Sequence, residues 1–175
     1  MKNIEIKELN ISPIELWDTD WLLLSCGDYA AGDFNAMTVA WGSIGNMWNI
    51  PIAMIVVRPT RYTYEYLERL DNFTLCRFDS SFRKALNLLG TKSGRDGDKM
   101  SESGLTPTRA HMVSSPVYEE ANLALECRKL YWHDFDSGKF LDDRIARSYP
   151  EENYHRMYFG EILRIDGDEQ FHKNA

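Results

Sequence analysis

The stretch that most constrains this chain runs from residue 35 to 63, NAMTVAWGSIGNMWNIPIAMIVVRPTRYT. Asn35 to Trp41 alternates as a strand does, with Asn35, Met37, Val39 and Trp41 on one face and Ala36, Thr38 and Ala40 on the other. A Gly/Asn turn then leads into Pro51–Val57, an apolar and β-branched run that predicts a buried strand. Pro59 stops that strand, and Thr60 is placed to cap a helix from about Arg61 to Leu70. On the helix, Tyr62, Tyr66, Leu67 and Leu70 share one face. Two cations, several hydroxyls and a new helix N-terminus therefore meet where the second strand ends.

A helix N-terminus carries roughly half a positive charge and N–H groups without partners. Arg58 and Arg61 add permanent cations suited to bidentate contact, and Thr60 and Thr63 add hydroxyl donors. This set suits an anion, a phosphate above all. A well-capped helix with two surface arginines would carry the same residues. The face of Ala36, Thr38 and Ala40 is equally open: its small side chains suit a flat aromatic ring, or a neighbouring element packed against the strand.

The 175 residues favour one domain with a real core, spanning 1–175 with its centre at about 20–165. Aromatic residues make up 13%, which fits a well-filled core, a dimer face or a pocket for a planar ligand. The formal net charge of −7 argues against a duplex nucleic-acid binder, which needs a basic footprint. No run reaches the roughly 18–20 apolar residues of a membrane span, and MKNIEIKELN lacks a signal-peptide apolar core. The expected location is the cytoplasm. Cys26, Cys76 and Cys127 lack metal or disulfide spacing, and each sits in an apolar stretch that predicts a buried free thiol.

Elsewhere the chain reads mainly as strands. Ile4, Ile6 and Leu9 suggest an edge strand, and Leu16 and Trp17 a staple onto the core. Trp21–Cys26, Phe73–Phe78, Ala121–Trp132 and Tyr154–Ile165 read as strands, the last with Gly160 marking a bulge or a close backbone approach. Phe82, Ala85, Leu86 and Leu89 predict a helix that stops at Gly90. Residues 91–104 form a hydrophilic loop offering Lys92, Arg95 and Lys99, and 134–150 is charged with a short helix inside 141–148. The tail after Asp166 is polar and expected to be loose. Strands and helices do not alternate strictly, so the expected fold is mainly β with helical excursions, a barrel rather than a doubly wound sheet.

The familiar catalytic patterns are absent: no nucleophile elbow, no Walker loop, no Gly-x-Gly-x-x-Gly after a strand. His111, His133, His155 and His172 lack metal spacing, so no metal site is expected. Any redox or transfer chemistry here must come from a cofactor.

NAMTVAW (35–41), RPTRYTYEYLE (58–68), SGRDGDKM with SGL (93–105), LEC (125–127) and His155 with Gly160-Glu161-Ile162 follow one another in an order that resembles the flavin reductase-like, FMN-binding split-barrel proteins, in the branch of flavin reductases and flavoredoxins. The resemblance spans about residues 20–165. It implies a split β-barrel, a homodimer and FMN near the subunit interface. It places Met37, Thr38, Val39, Ala40 and Trp41 along the isoalloxazine, with Ser43 just beyond. It gives Arg58, Tyr62 and Thr63 the ribityl and phosphate groups, and brings Lys92, Ser93 and Lys99 to the flavin from their loop. His155 falls on the nicotinamide side, where the family often has Asp-His; here Tyr154 replaces the acid. Trp48 and Asn49 are bulky additions that would narrow the nicotinamide entrance. The implied activity is NADH- or NADPH-dependent reduction of bound or exchanging FMN, with no nucleic-acid or membrane partner. The alternative is a flavoredoxin-like FMN carrier passing electrons to a redox partner protein.

Overall fold

A computed structural model describes residues 1–173. In chain order its elements are β1 (Lys2–Asn3), α1 (Pro13–Glu15), β2 (Leu22–Asp28), β3 (Asp33–Val39), β4 (Gly42–Met47), β5 (Ile50–Val57), α2 (Tyr62–Arg69), β6 (Asn72–Arg77), α3 (Arg83–Thr91), α4 (Lys99–Ser103), β7 (Pro107–Thr108), β8 (Val117–Tyr118), β9 (Leu123–Asp134), α5 (Asp143–Ala146) and β10 (Arg156–Gly167), with short 3₁₀ and π turns between some of them.

The large sheet is antiparallel and runs β3-β2-β6-β9-β10-β5-β4, with β1 on the far end of β10; β7 and β8 pair apart from it. The two ends of this path, β3 and β4, are separated in sequence only by Ala40 and Trp41. Three chain steps span at most about 11 Å, so the free edges of β3 and β4 must lie close together at that end. The sheet therefore curls into a barrel whose seam is not hydrogen-bonded, a split barrel. Among the described residues, no helix is long and apolar enough to cross a membrane.

Strand alternation sorts the core into two faces. Leu22, Leu24, Met37, Val39, Ile55, Phe73, Leu75, Leu125 and Tyr158 point into the barrel. Leu23, Ala36, Cys76 and Ala124, offset by one residue, face outwards under Leu86 and Leu89 of α3. All three cysteines are buried and free, and burial pushes the Cys26 thiol up to about 12.

Gly160 marks an irregularity, as one of the two expectations had it, and its close neighbour is a side chain, not a backbone. The β9–β10 register shifts between Phe159 and Gly160, and a Cβ at Gly160 would lie 2.6 Å from the Phe73 ring. Two other expectations are corrected. The tail is docked as far as it is described: Phe171 is buried beneath Arg77, and His172 bridges to Leu9. An apolar ring in a polar stretch was enough to anchor it. At the N-terminus Lys2 and Asn3 pair with β10 and the Ile4 amide bonds the Ile165 carbonyl, while Ile6–Glu8 forms a 3₁₀ turn rather than an edge strand.

Candidate functional site

The start of α2 lacks the expected cap. Arg61, not Thr60, holds the N-cap position, and no side chain bonds the first-turn amides. The Thr60 hydroxyl instead accepts from Asn153 Nδ2 at 3.0 Å. The Arg61 and Tyr64 amides bond the carbonyls of Arg58 and Arg61, which leaves those of Tyr62 and Thr63 for another acceptor.

Arg58 and Arg61 flank this helix start. Arg58 Nη2 donates to the Ser148 carbonyl at 2.9 Å, and Arg61 Nη2 donates to the Gly90 carbonyl. Among the described residues neither has a carboxylate partner. Burial, and then the charge of Arg58, push the Arg61 guanidinium below its usual range. Positive potential is therefore concentrated here although the chain as a whole is acidic. It reaches Lys99, whose ammonium is pushed down to about 8, first by burial and then by Arg61.

Strand β3 runs alongside. Its small face is not an open ledge over its whole length. Ala36 is fully buried under α3, and the Thr38 hydroxyl donates to the Leu86 carbonyl at 2.5 Å. Helix α3 continues through Gly90 to Thr91, so Gly90 is not the helix stop. A Cβ there would sit 3.2 Å from Thr38 Cβ, a tight contact between α3 and β3. Met37 and Val39 point into the barrel. Ala40, Trp41 and Ser43 reach the surface together, along a cleft shared with Trp17. The outer edge of β3 has no strand partner, so its backbone donors and acceptors on that side are free of the ladder.

The loop after α3 closes the site from a second side. Lys92 pairs with Glu102 at 2.6 Å, and Ser93 Oγ caps the short turn at Gly94–Asp96. Lys99 is buried and donates to the carbonyls of Leu89 and Lys92, at 3.1 and 3.0 Å, so it caps the C-terminal end of α3. Thr63 is likewise buried, its hydroxyl accepting from Asn35 Nδ2 at 2.7 Å. Thr63 and Lys99 therefore stand behind the site, whereas Arg58, Tyr62, Lys92 and Ser93 stand at its surface.

Three further residues belong to this geometry. Arg95 lies 4.8 Å over the Tyr62 ring and donates to the Thr60 carbonyl, and its only signal in sequence is a glycine-rich loop carrying cations. Asn35 lies on the strand face it shares with Met37, Val39 and Trp41. Tyr149 had no sequence signal. Its hydroxyl is 2.8 Å from His155 Nδ1, and Arg58 lies over its ring. His155 packs against Trp41, with ring centroids 5.2 Å apart. Burial, then Arg58 and Arg61, push the imidazole down to about 4, so it is neutral near pH 7.

Trp48 and Asn49 are elsewhere. They form the tip of the β4–β5 hairpin, with φ of 56° and 60°, and Trp48 packs on Tyr131 and Phe159. Gly42 pairs with Ile55 and Met47 with Ile50, which puts Met47 roughly 17 Å along the strand from Gly42 and the tip beyond it. Trp48 therefore does not narrow the His155 side. The β9–β10 connection does, through Ser148, Tyr149 and Asn153.

These features match one family. Residues 19–174 fit the model of the flavin reductase like domain, and the chain belongs to that family. Among solved structures it resembles the flavoredoxin of Methanosarcina acetivorans (24% identity, 97% of this chain and 77% of the other, TM-score 0.67) and that of Desulfovibrio vulgaris Miyazaki F (22%, 91% and 74%, TM-score 0.66). It also resembles an FMN-binding protein of Thermus thermophilus solved with 1-cyclohex-2-enone (17%, 97% and 82%, TM-score 0.68). At these identities the likeness establishes the split-barrel fold. A search of curated proteins finds no match.

Proposed function

We propose that this chain is a single-domain, cytoplasmic FMN-binding oxidoreductase that takes hydride from NADH or NADPH. The observation that carries the reading is the arginine pair at the uncapped start of α2. Burial and then the charge of Arg58 disfavour the Arg61 cation, neither arginine has a carboxylate partner among the described residues, and both adjoin the start of α2. A phosphate dianion relieves that cost, and the residues present fit one. Tyr62, Ser93 and Lys92 add surface contacts, while Thr63 and Lys99 support the site from behind.

The flavin ring would lie along the unpartnered edge of β3 and the Ala40–Ser43 surface, where backbone groups from Met37 to Val39 can read its polar rim. Bound FMN would supply the hydride-accepting centre. The chain supplies position, phosphate neutralisation and fixed dipoles. His155 would stand on the nicotinamide side as a neutral imidazole held by Tyr149.

The exposed aromatics Trp48, Tyr131 and Trp132 favour a homodimer, which sedimentation would test. The absorption spectrum of the purified protein tests the cofactor. We expect a yellow protein, bleached by reduced nicotinamide without oxygen. A colourless protein that gains no thermal stability from FMN sinks the flavin reading.

A second reading is a flavoredoxin-like electron carrier without a nicotinamide site. It is favoured by the β9–β10 connection, which covers the His155 side through Tyr149 and Asn153. A flavin-loaded protein that bleaches only with a protein reductase would select it.

A further inference from the structure

We propose that the groove between β1 and the β7–β8 ribbon is a binding site for a small organic phosphate. The inference does not rest on the flavin reading. The groove has a volume of about 530 Å³, within the range of small-molecule sites at roughly 300–1,000 Å³. It lies far from the start of α2. Arg156 of β10 pairs with Val57, next to Arg58, whereas Arg164 in the groove stands eight residues further along β10, roughly 25 Å away.

Strand register builds the floor. Across the β9–β10 ladder Asp166 faces Ala124 and Arg164 faces Glu126, so these side chains project from one side of the sheet. It is the outer side, where Ala124 packs with Tyr118. Glu126 is 1% exposed and accepts from the amides of His111, at 2.9 Å, and Met112. This carboxylate pins the loop carrying Arg109 and His111 beside the floor. Further along, Ser115 Oγ bonds Asn72 Oδ1 at 2.7 Å and the Thr74 hydroxyl donates to the Pro116 carbonyl. The wall of the groove is therefore held in place by buried hydrogen bonds.

Charge decides the ligand class. Both oxygens of Asp166 are taken by Arg164, at 2.6 and 2.8 Å, and the Met1 amino group lies on Asp168 at 3.3 Å. Among the described residues, the side chains of Lys2, Arg109 and His111 have neither a carboxylate nor a hydrogen-bond partner, and the remaining lining anion is Glu119. Two permanent cations and an imidazole thus outweigh one carboxylate, in a chain of formal charge −7. The three come from separate segments, so they suit the three oxygens of a phosphate better than the two of a carboxylate. Val117, Ala124 and the Tyr118 ring supply apolar surface for a small carbon body. The Tyr118 hydroxyl is committed to Ser25 at 2.7 Å.

The test titrates phenyl phosphate, benzoate and phenol into protein saturated with FMN. Calorimetry reads affinity, and methyl NMR of Val117 and Ala124 reads the place. The expected result is saturable one-to-one binding of phenyl phosphate with shifts at both methyls, at least about tenfold tighter than benzoate or phenol. Arg109→Ala, at an exposed position, should weaken phenyl phosphate by about tenfold or more. Lys84→Ala, an exposed cation on α3, should change it by less than about twofold. Benzoate or phenol binding as tightly as phenyl phosphate would overturn the proposal, and so would equal weakening by the two variants. Phenyl phosphate that leaves the Val117 and Ala124 methyls unmoved would overturn it too, as would methyl signals that follow protein concentration and ignore the probe, because a second copy of the chain would then cover the groove. The methyls report this groove whether or not FMN is bound, so a protein that takes up no FMN counts against the flavin reading alone.

Discussion

Asn35 Nδ2 donates a buried hydrogen bond of 2.7 Å to Thr63 Oγ1, tying strand β3 to the first turn of α2. The bond joins the strand proposed to carry a flavin ring to the helix proposed to hold its phosphate. A Cβ on the nearby Gly94 would lie 2.4 Å from Asn35 Oδ1, so the loop after α3 closes on the same point.

Asn35→Ala should therefore cost about 1–3 kcal/mol in urea unfolding, because Thr63 keeps a buried hydroxyl without its donor. FMN affinity should fall with it, since the two halves of the site lose their fixed spacing. Parent-like stability would show that the bond contributes nothing.

Arg58→Ala separates phosphate from ring. Loss of one charge-assisted contact, worth about 1.5–3 kcal/mol, should weaken FMN by roughly ten- to a hundredfold. Riboflavin, which lacks the phosphate, should change by less than about threefold. Flavin fluorescence titration measures both, and equal weakening contradicts a phosphate role for Arg58.

Gly160→Val tests the close approach of β10 to β6. The new Cβ would meet the Phe73 ring at 2.6 Å and Cys127 Cβ at 3.0 Å, and both are buried. Overpacking of this kind costs about 1–3 kcal/mol, read as a lower urea midpoint at unchanged slope. An unchanged midpoint would mean that the core yields without strain.

His155 gives a pH dependence of definite sign. Its imidazole titrates near 4 in the folded chain and near the ordinary value of about 6.5 when unfolded. Between those values the unfolded chain binds a proton that the folded chain refuses. Stability from this source is complete above about pH 6.5 and is lost as pH falls towards 4. His155→Gln removes the titration, so the stability gap between parent and variant should shift in favour of the variant across that window. Urea unfolding at pH 7, 6 and 5 measures it, and a constant gap contradicts the assignment.

Much of this architecture could be read from local pattern. Leu22, Leu24, Met37 and Val39 face the barrel because period-two alternation fixes a side for every residue once one face is buried. The junction of β5 and α2 beside Arg58 and Arg61 was legible because Pro59 stops the strand and a helical pattern follows it. Gly160 was legible because a glycine within a strand signals a bulge or a neighbouring backbone.

Other features were decided by partners remote in sequence. Thr60 lost the helix cap to a contact with Asn153, 93 residues on. Gly90 lies inside α3 with Thr38 of β3 packed against it, 52 residues away in sequence, and the helix ends only after Thr91. Lys99, read as a loop cation brought to the flavin, is buried on the carbonyls that end α3. The 134–150 segment, read as charged with a short helix, also folds an aromatic cluster against Arg58 and His155. Alternation and turn chemistry act between neighbours a few residues apart, so the sequence determined which strands form and which way they face. Hydrogen-bond partners and the neutralisation of charge depend on which distant segments meet, and only closure of the barrel decided that.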